Sequence, residues 1–416
     1  MVELTAEDVK SYIANTPQIT FEITESCNLS CVYCGYGKLY NNKGERHHRM
    51  MMPSMAIAFL NFMASLWDEG YDNKGNSPLV ISFYGGEPLL NMPLIVSVID
   101  YIEKYLEGRN RNFVYTMTTN AILLPKYMDY IVAKNIHLLI SLDGDEQGTA
   151  SRQHHNGQPA FNDIINGIDE LRDKYPRFFE EYVQFNSVLT KNTSVKNIVE
   201  YINHKYGKQP TISEVNPDGI NPQFQEEFNQ IYLEKWKSVQ EYENALDKDG
   251  ACFEEHPRFE HVAKYIQKHS PYVYHDYNEL LFGKEARKKS YPTGTCLPFT
   301  KKIFVNVAGT IMPCEMISYK FGFEAIKNDS VKIDYQAIAD VYNTYFEQIE
   351  KKCRKCSDYE GCQCCMFNNG LLTSSTNKCN YFVDSKKMKL MENEVYSFLL
   401  KYPDSYSYIM SKFEVL

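Results

Sequence analysis

Three cysteines stand close together in Glu25-Ser26-Cys27-Asn28-Leu29-Ser30-Cys31-Val32-Tyr33-Cys34, a C-x3-C-x2-C spacing. Thiolates this close converge on one small object. Three ligands suit a cubane iron–sulfur cluster whose fourth iron stays open to another ligand. A structural zinc site usually takes four closed ligands, commonly as two C-x2-C pairs. His47 and His48 could supply a fourth donor, so spacing alone leaves zinc open. A second field holds Cys314, Cys353, Cys356, Cys362, Cys364, Cys365 and Cys379, with Cys296 just before it. A zinc-ribbon-like module without a redox role would account for four of these. Seven, beside the first triplet, argue for further iron–sulfur ligation. Cys252 reads as a buried thiol.

Composition narrows the setting. The chain has 416 residues, 44% of them hydrophobic and 23% charged, which excludes global disorder. Its net charge of −9 gives no broad reason to coat nucleic acid or an anionic membrane. The longest uncharged stretch is Met50–Trp67. A helix starting at Pro53 would run about 22 Å, short of the roughly 30 Å hydrocarbon core, so no membrane span is expected. The opening residues MVELTAEDVKSY are acidic and lack an apolar core, so no signal peptide is expected. A cytoplasmic, reducing setting follows, in which twelve cysteines mean metal or redox chemistry rather than disulfides.

The elements that must position these cysteines alternate. Strands are expected at Gln18–Thr24, Leu79–Tyr84, Phe113–Thr119, Ile136–Leu142, Tyr182–Leu189 and Pro210–Val215. They read as near-continuous apolar or β-branched runs, as for strands covered on both faces. Helical patterns fall between them at Ser54–Trp67, Met92–Leu106, Pro125–Lys134 and Phe161–Lys174. Such alternation predicts parallel βαβ units, with function at the C-terminal strand ends. Residues 222–289 read as helices rich in Glu, Lys and Tyr, and the sequence from Tyr291 is turn- and cysteine-rich. Six strands suggest a partial barrel or an open parallel sheet over 1–216, followed by a helical bridging region over 217–290, a cysteine-rich domain over 291–385 and a terminal helix over 386–416.

The triplet at the end of a first strand, with Tyr33 at its aromatic position, resembles the radical S-adenosylmethionine (SAM) superfamily. The resemblance implies a partial (β/α)6 TIM-like barrel with a helical insert, of α/β class. It also implies that the open iron of a [4Fe–4S] cluster is chelated by SAM, whose reductive cleavage yields a 5′-deoxyadenosyl radical. Gly85-Gly86-Glu87-Pro88 after the second strand is similar to the family's GGEP motif. Glycines there let backbone approach a ligand. Glu87 or nearby carbonyls would accept hydrogen bonds from an amino group. Thr119 and Asn120 after the third strand, and Ser141 and Asp143 after the fourth, resemble SAM-contacting segments. Arg152 resembles the arginine that pairs with the SAM carboxylate; the plain alternative is a surface arginine.

The second field resembles the SPASM extension of radical SAM enzymes, which carries up to two auxiliary [4Fe–4S] clusters. The resemblance implies Cys353, Cys356, Cys362 and Cys379 on a distal cluster. It implies Cys296, Cys314 and one of Cys364 or Cys365 on a nearer one. The usual C-x3-C step would place a cysteine at Met366, and a further position seen in relatives is Ser290 here, so the nearer cluster is expected to have an open iron. Glu315, directly after Cys314, resembles a catalytic base; a surface or salt-bridged glutamate is the alternative. Lys351, Lys352, Arg354 and Lys355 read as a solvated basic turn.

Three functional readings follow. One is a maturase forming a thioether or carbon–carbon crosslink in a ribosomally made peptide. Another is an anaerobic sulfatase-maturating enzyme making formylglycine from Cys or Ser. The third, from a different class, is a metal-stabilised binding or electron-relay protein. The first two need a peptide or protein substrate and a flavodoxin- or ferredoxin-type electron donor. Only about 17 residues precede the first strand, too few for a leader-binding winged helix, so a separate leader-binding protein is a possible partner.

Overall fold

The computed structural model describes all residues except 1–2, 42–43, 45, 73–76, 107–110, 247–252, 257, 271–272, 274–290, 292–296, 360–361, 363, 373–377 and 413–416. Cys252, Ser290 and Cys296 lie outside the described residues.

Six parallel strands follow one another across the sheet in chain order: β1 (Gln18–Thr24), β2 (Leu79–Gly85), β3 (Phe113–Thr119), β4 (His137–Ser141), β5 (Val183–Leu189) and β6 (Thr211–Glu214). Helices Pro53–Leu66, Met92–Tyr105, Leu124–Ala133, Phe161–Lys174 and Val195–Tyr206 connect them. Amphipathic stripes such as Ile164, Ile165, Ile168 and Leu171 bury one face of each helix. The sheet is an open, partial (β/α)6 barrel. Beyond β1 it continues with β7 (Ile303–Val305), parallel to β1, then β8 (Thr310–Met312) and β9 (Phe323–Glu324), both antiparallel.

The strands are not apolar on both faces, as their composition suggested. Ile19, Phe21, Ile23, Ile81, Phe83, Ile140 and Phe185 are fully buried. Their alternate neighbours Gln18, Thr20, Ser82, Tyr84, Thr116, Thr118, His137 and Gln184 line a cavity of about 430 Å3. Successive side chains of a strand point to opposite faces, so one set packs against helices and the other faces an open lumen. Polar residues suit that lumen because water or a substrate, rather than packed hydrocarbon, fills it.

Two compact units divide the chain: Thr5–Ser238 with Cys296–Ala339, and Met1–Leu4 with Val239–Thr295 and Asp340–Leu416. The boundaries cut across the segments read from sequence. Residues 303–324 join the barrel because β7 pairs with β1. In the other unit, Val262 and Ile266 of helix Phe259–His269 share one core with Val395 and Phe398 of helix Ser385–Lys401 and with Ile409. Phe253, Phe259 and Tyr265 pack against that core. Among the described residues no helix is long and apolar enough to cross a membrane.

Phe21 lies at the centre of β1, fully buried, with its ring edge-on to Phe59 at 6.3 Å. Phe21→Ala is expected to cost about 3–5 kcal/mol, the usual range for emptying such a site. Chemical denaturation should show the fall as a lower midpoint.

Candidate functional site

The cysteine loop leaves the end of β1, where the β1–β2 register shifts between Glu22 and Thr24. Gly85 has φ +142°, and a Cβ there would lie 2.3 Å from the Thr24 carbonyl oxygen. A Cβ on Gly86 would lie 2.0 Å from the Ser26 oxygen. These glycines let β2 approach the backbone entering the cysteine loop, which any side chain would block. Gly86 N–H donates to Thr24 O at 2.8 Å and Glu87 N–H to Ser26 O at 2.9 Å. From the other side, Ser30 N–H donates to Gln153 O at 2.6 Å and Val32 N–H to Ser151 O at 2.9 Å. His155 Nε2 donates to Cys27 O at 2.9 Å.

Buried carboxylates fix this loop to the strand ends. Asp143, fully buried after β4, accepts from Arg152 Nη2 at 2.8 Å, Arg152 Nε at 3.0 Å, Val188 N–H at 2.8 Å and the Tyr33 hydroxyl. Arg152 is buried, so the surface reading fails; its guanidinium fork is turned onto Asp143. Tyr33 packs with Val215 and Phe228, which cover the loop. Glu87, also buried, accepts from Thr119 Oγ1 at 2.8 Å, Asn120 N–H at 2.8 Å and Leu89 N–H at 3.1 Å. Burial outweighs those three bonds and pushes its carboxyl up to about 7. Asn120 Nδ2 donates to Asn28 Oδ1 at 2.7 Å, inside the cysteine triplet. Ser141 ends β4 opposite Asn186 of β5.

Four further supports were not legible as a site. Glu25 faces an upward push from burial, but Arg49 and the backbone N–H groups of Arg49 and His47 hold its carboxyl at about 2. Glu22, fully buried in β1, accepts from Arg46 Nη1 at 2.9 Å, Tyr319 Oη at 3.0 Å and Val307 N–H at 3.3 Å. Arg46 also donates to the carbonyls of Glu25 at 3.0 Å and Thr24 at 3.3 Å, and its guanidinium stacks 3.9 Å over the Tyr36 ring. The only available signals were one acid inside an apolar strand, another just after it, and a basic stretch at residues 46–49; none names its partner.

Cys27, Cys31 and Cys34 are half-buried and close enough to act on one another. Burial pushes Cys27 up to about 12 and Cys31 up to about 11, with neighbouring thiols adding to the shift. Such thiols ionise when a cationic centre takes the place of their protons. The two carboxylate oxygens of Glu315 sit 3.1 Å from Lys302 Nζ. Glu315 is therefore salt-bridged and also lines the cavity. Burial pushes the Cys314 thiol up to about 12, and the Glu315 charge adds to it. The Tyr84 phenol is raised by burial and then by Glu315, Cys34 and Cys314. Tyr84 thus neighbours both the first cysteine triplet and the Cys314–Glu315 pair.

In the second unit Cys353, Cys356, Cys362, Cys364 and Cys379 line one cavity of about 540 Å3, together with Lys352, Lys355 and Phe382. Cys365 is not among the described residues lining it. Met366, at the position of the absent cysteine, is fully buried.

Residues 21–204 match the model of the Radical SAM superfamily. The barrel belongs to that superfamily. Membership implies a [4Fe–4S] cluster and SAM. The three crowded thiols, which suit three corners of a cubane, fit that donor set. The chain is 26% identical over 239 residues to the radical SAM cyclopropyl synthase TigE of Paramaledivibacter caminithermalis, matching 55% of this chain and 47% of that protein. The match therefore spans about half the length of that relative. It is 24% identical to a cysteine-type anaerobic sulfatase-maturating enzyme of Clostridium novyi, over 82% of this chain and 84% of that protein. In fold it is similar to anSMEcpe with bound AdoMet, with a TM-score of 0.63, 17% identity and 96% of each chain covered.

Arg46→Ala would leave Glu22 buried without its cation, at an expected cost of about 3–5 kcal/mol. Adding Glu22→Gln should recover part of that loss. A double-mutant cycle on the denaturation midpoint checks it, and non-recovery would assign Arg46 to packing alone.

Proposed function

We propose that this chain is a radical SAM maturase that oxidatively modifies a ribosomally made peptide by forming a thioether or carbon–carbon crosslink. The observation that carries the reading is Glu315: a carboxylate in the barrel lumen, held by Lys302 and sharing the neighbour Tyr84 with Cys34. A site that removes both a hydrogen atom and a proton from its substrate needs a radical source and a base within one cavity.

Cys27, Cys31 and Cys34 would hold the cluster and leave one iron for SAM. Bound together, the cluster and SAM supply a 5′-deoxyadenosyl radical that abstracts a substrate hydrogen. Three of the roughly four acceptor sites of the Glu87 carboxylate serve Thr119, Asn120 and Leu89, so Glu87 or nearby carbonyls would accept from the SAM amino group. Asp143 keeps Tyr33 and Arg152 against the loop. Glu315 takes the proton released as the new bond forms, and Lys302 orients both of its oxygens. The substrate loses two hydrogens in all. The second electron would pass to auxiliary [4Fe–4S] clusters held by the second cysteine field. A flavodoxin- or ferredoxin-type donor would reduce the first cluster, and a separate protein would read any leader.

Formylglycine formation on a sulfatase is the second reading. Similarity to a sulfatase-maturating enzyme over 82% of this chain favours it.

Anaerobically reconstituted, reduced protein should convert SAM to 5′-deoxyadenosine. Changing Cys27, Cys31 and Cys34 to alanine should abolish that conversion, and survival of the activity would end the radical SAM reading. Glu315→Gln should keep 5′-deoxyadenosine formation while modified peptide falls about 10²–10⁴-fold, the usual size of a general-base contribution. Mass spectrometry of a co-expressed neighbouring peptide separates the readings. Loss of two hydrogens marks a crosslink; exchange of sulfur for oxygen with oxidation at a cysteine marks formylglycine.

A further inference from the structure

Among the described residues five thiols, not four, line the cavity of the second unit: Cys353, Cys356, Cys362, Cys364 and Cys379. A [4Fe–4S] cluster offers four iron corners, each taking one thiolate. One thiol is therefore surplus, and its position identifies the corner concerned. Cys353 and Cys356 stand at the end of helix Tyr335–Cys353, joined by a turn in which Cys356 N–H donates to Cys353 O at 2.9 Å. Cys356 Sγ also accepts from Val383 N–H at 3.4 Å, which fixes its direction. Cys379 arrives on the returning segment and has Cys362 and Cys356 as its thiol neighbours. Each of these three occupies its own place on the wall.

Cys362 and Cys364 differ. They lie two residues apart, both face the cavity, and their thiols are in hydrogen-bonding contact, with Cys379 near Cys364 as well. Two sulfurs in contact cannot both bind separate irons without moving apart. Either alone can reach the same corner.

We propose that Cys362 and Cys364 are interchangeable ligands to one iron of the auxiliary cluster in this cavity. The inference rests on the auxiliary-cluster reading given above. It gives Cys364 a place in this cavity, whereas the resemblance had implied one of Cys364 and Cys365 on the nearer cluster. Exchange between the two thiols moves one iron–sulfur bond and one proton, with no change in electron count: the incoming thiol gives up its proton as the outgoing thiolate accepts one.

The test uses the full chain with Cys27, Cys31 and Cys34 changed to alanine, so that iron of the first site does not contribute. After anaerobic reconstitution, iron and labile sulfide per chain are measured, with electron paramagnetic resonance of the reduced protein. Cys362→Ala and Cys364→Ala, each alone, should retain the iron of this background. Their reduced signals should differ slightly from one another. The double change should lose one cluster's worth, as should Cys353→Ala. The proposal is overturned if either single change loses as much iron as Cys353→Ala, or if the double change loses none. Should the double variant not fold, the two single variants decide, because both must keep their iron. A background protein that binds no iron at all would instead remove the auxiliary-cluster reading itself.

Discussion

A carboxylate taken out of water must be fully paired, and the architecture around the cysteine triplet follows from that constraint. Asp143 is the clearest case. Its oxygens bind Arg152, the Tyr33 hydroxyl and the Val188 amide, tying the ends of β4 and β5 to the cysteine loop. Glu87 does the same between β2 and β3, and Glu25 and Glu22 anchor the stretch carrying Arg46 and Arg49. A loop with three thiols has little apolar surface with which to hold itself. These buried acids position it instead, through directional bonds whose loss would strand a charge.

The lumen depends on the same strands in the opposite sense. Residues facing the helices are hydrocarbon and close-packed, whereas their alternate neighbours are Thr, Ser, Gln, His and Tyr around open space. Glu315 and Lys302 enter that space from the segment around β7 and β8, and their placement depends on β7 pairing with β1. The candidate base is thus a property of the barrel unit, although more than 270 residues separate it from the triplet in sequence.

Much of this was legible in the chain. Strands Gln18–Thr24 and Phe113–Thr119 and helix Phe161–Lys174 fall where periodicity placed them, since local apolar patterning suffices for long regular elements. Strand β7 did not show. It has three residues, too few for a pattern, and its partner is far away in sequence. The division into units was hidden for a similar reason: helices at 259–269 and 385–401 each display an apolar face, but no single face names its mate.

The sequence by itself determined which donor groups stand close together: C-x3-C-x2-C on a strand end, a glycine pair after the next strand, and a second thiol field. Residue type and short spacing are local quantities, and covalent geometry carries them into the fold unchanged. Only the tertiary structure decided what the charged residues do. It turned Arg152 onto Asp143, closed Glu87 around the end of β3, and set Cys364 beside Cys362 rather than leaving it equivalent to Cys365. Hydrogen-bond and ion-pair partners are chosen by proximity in space, and proximity across hundreds of residues exists only after the chain has packed.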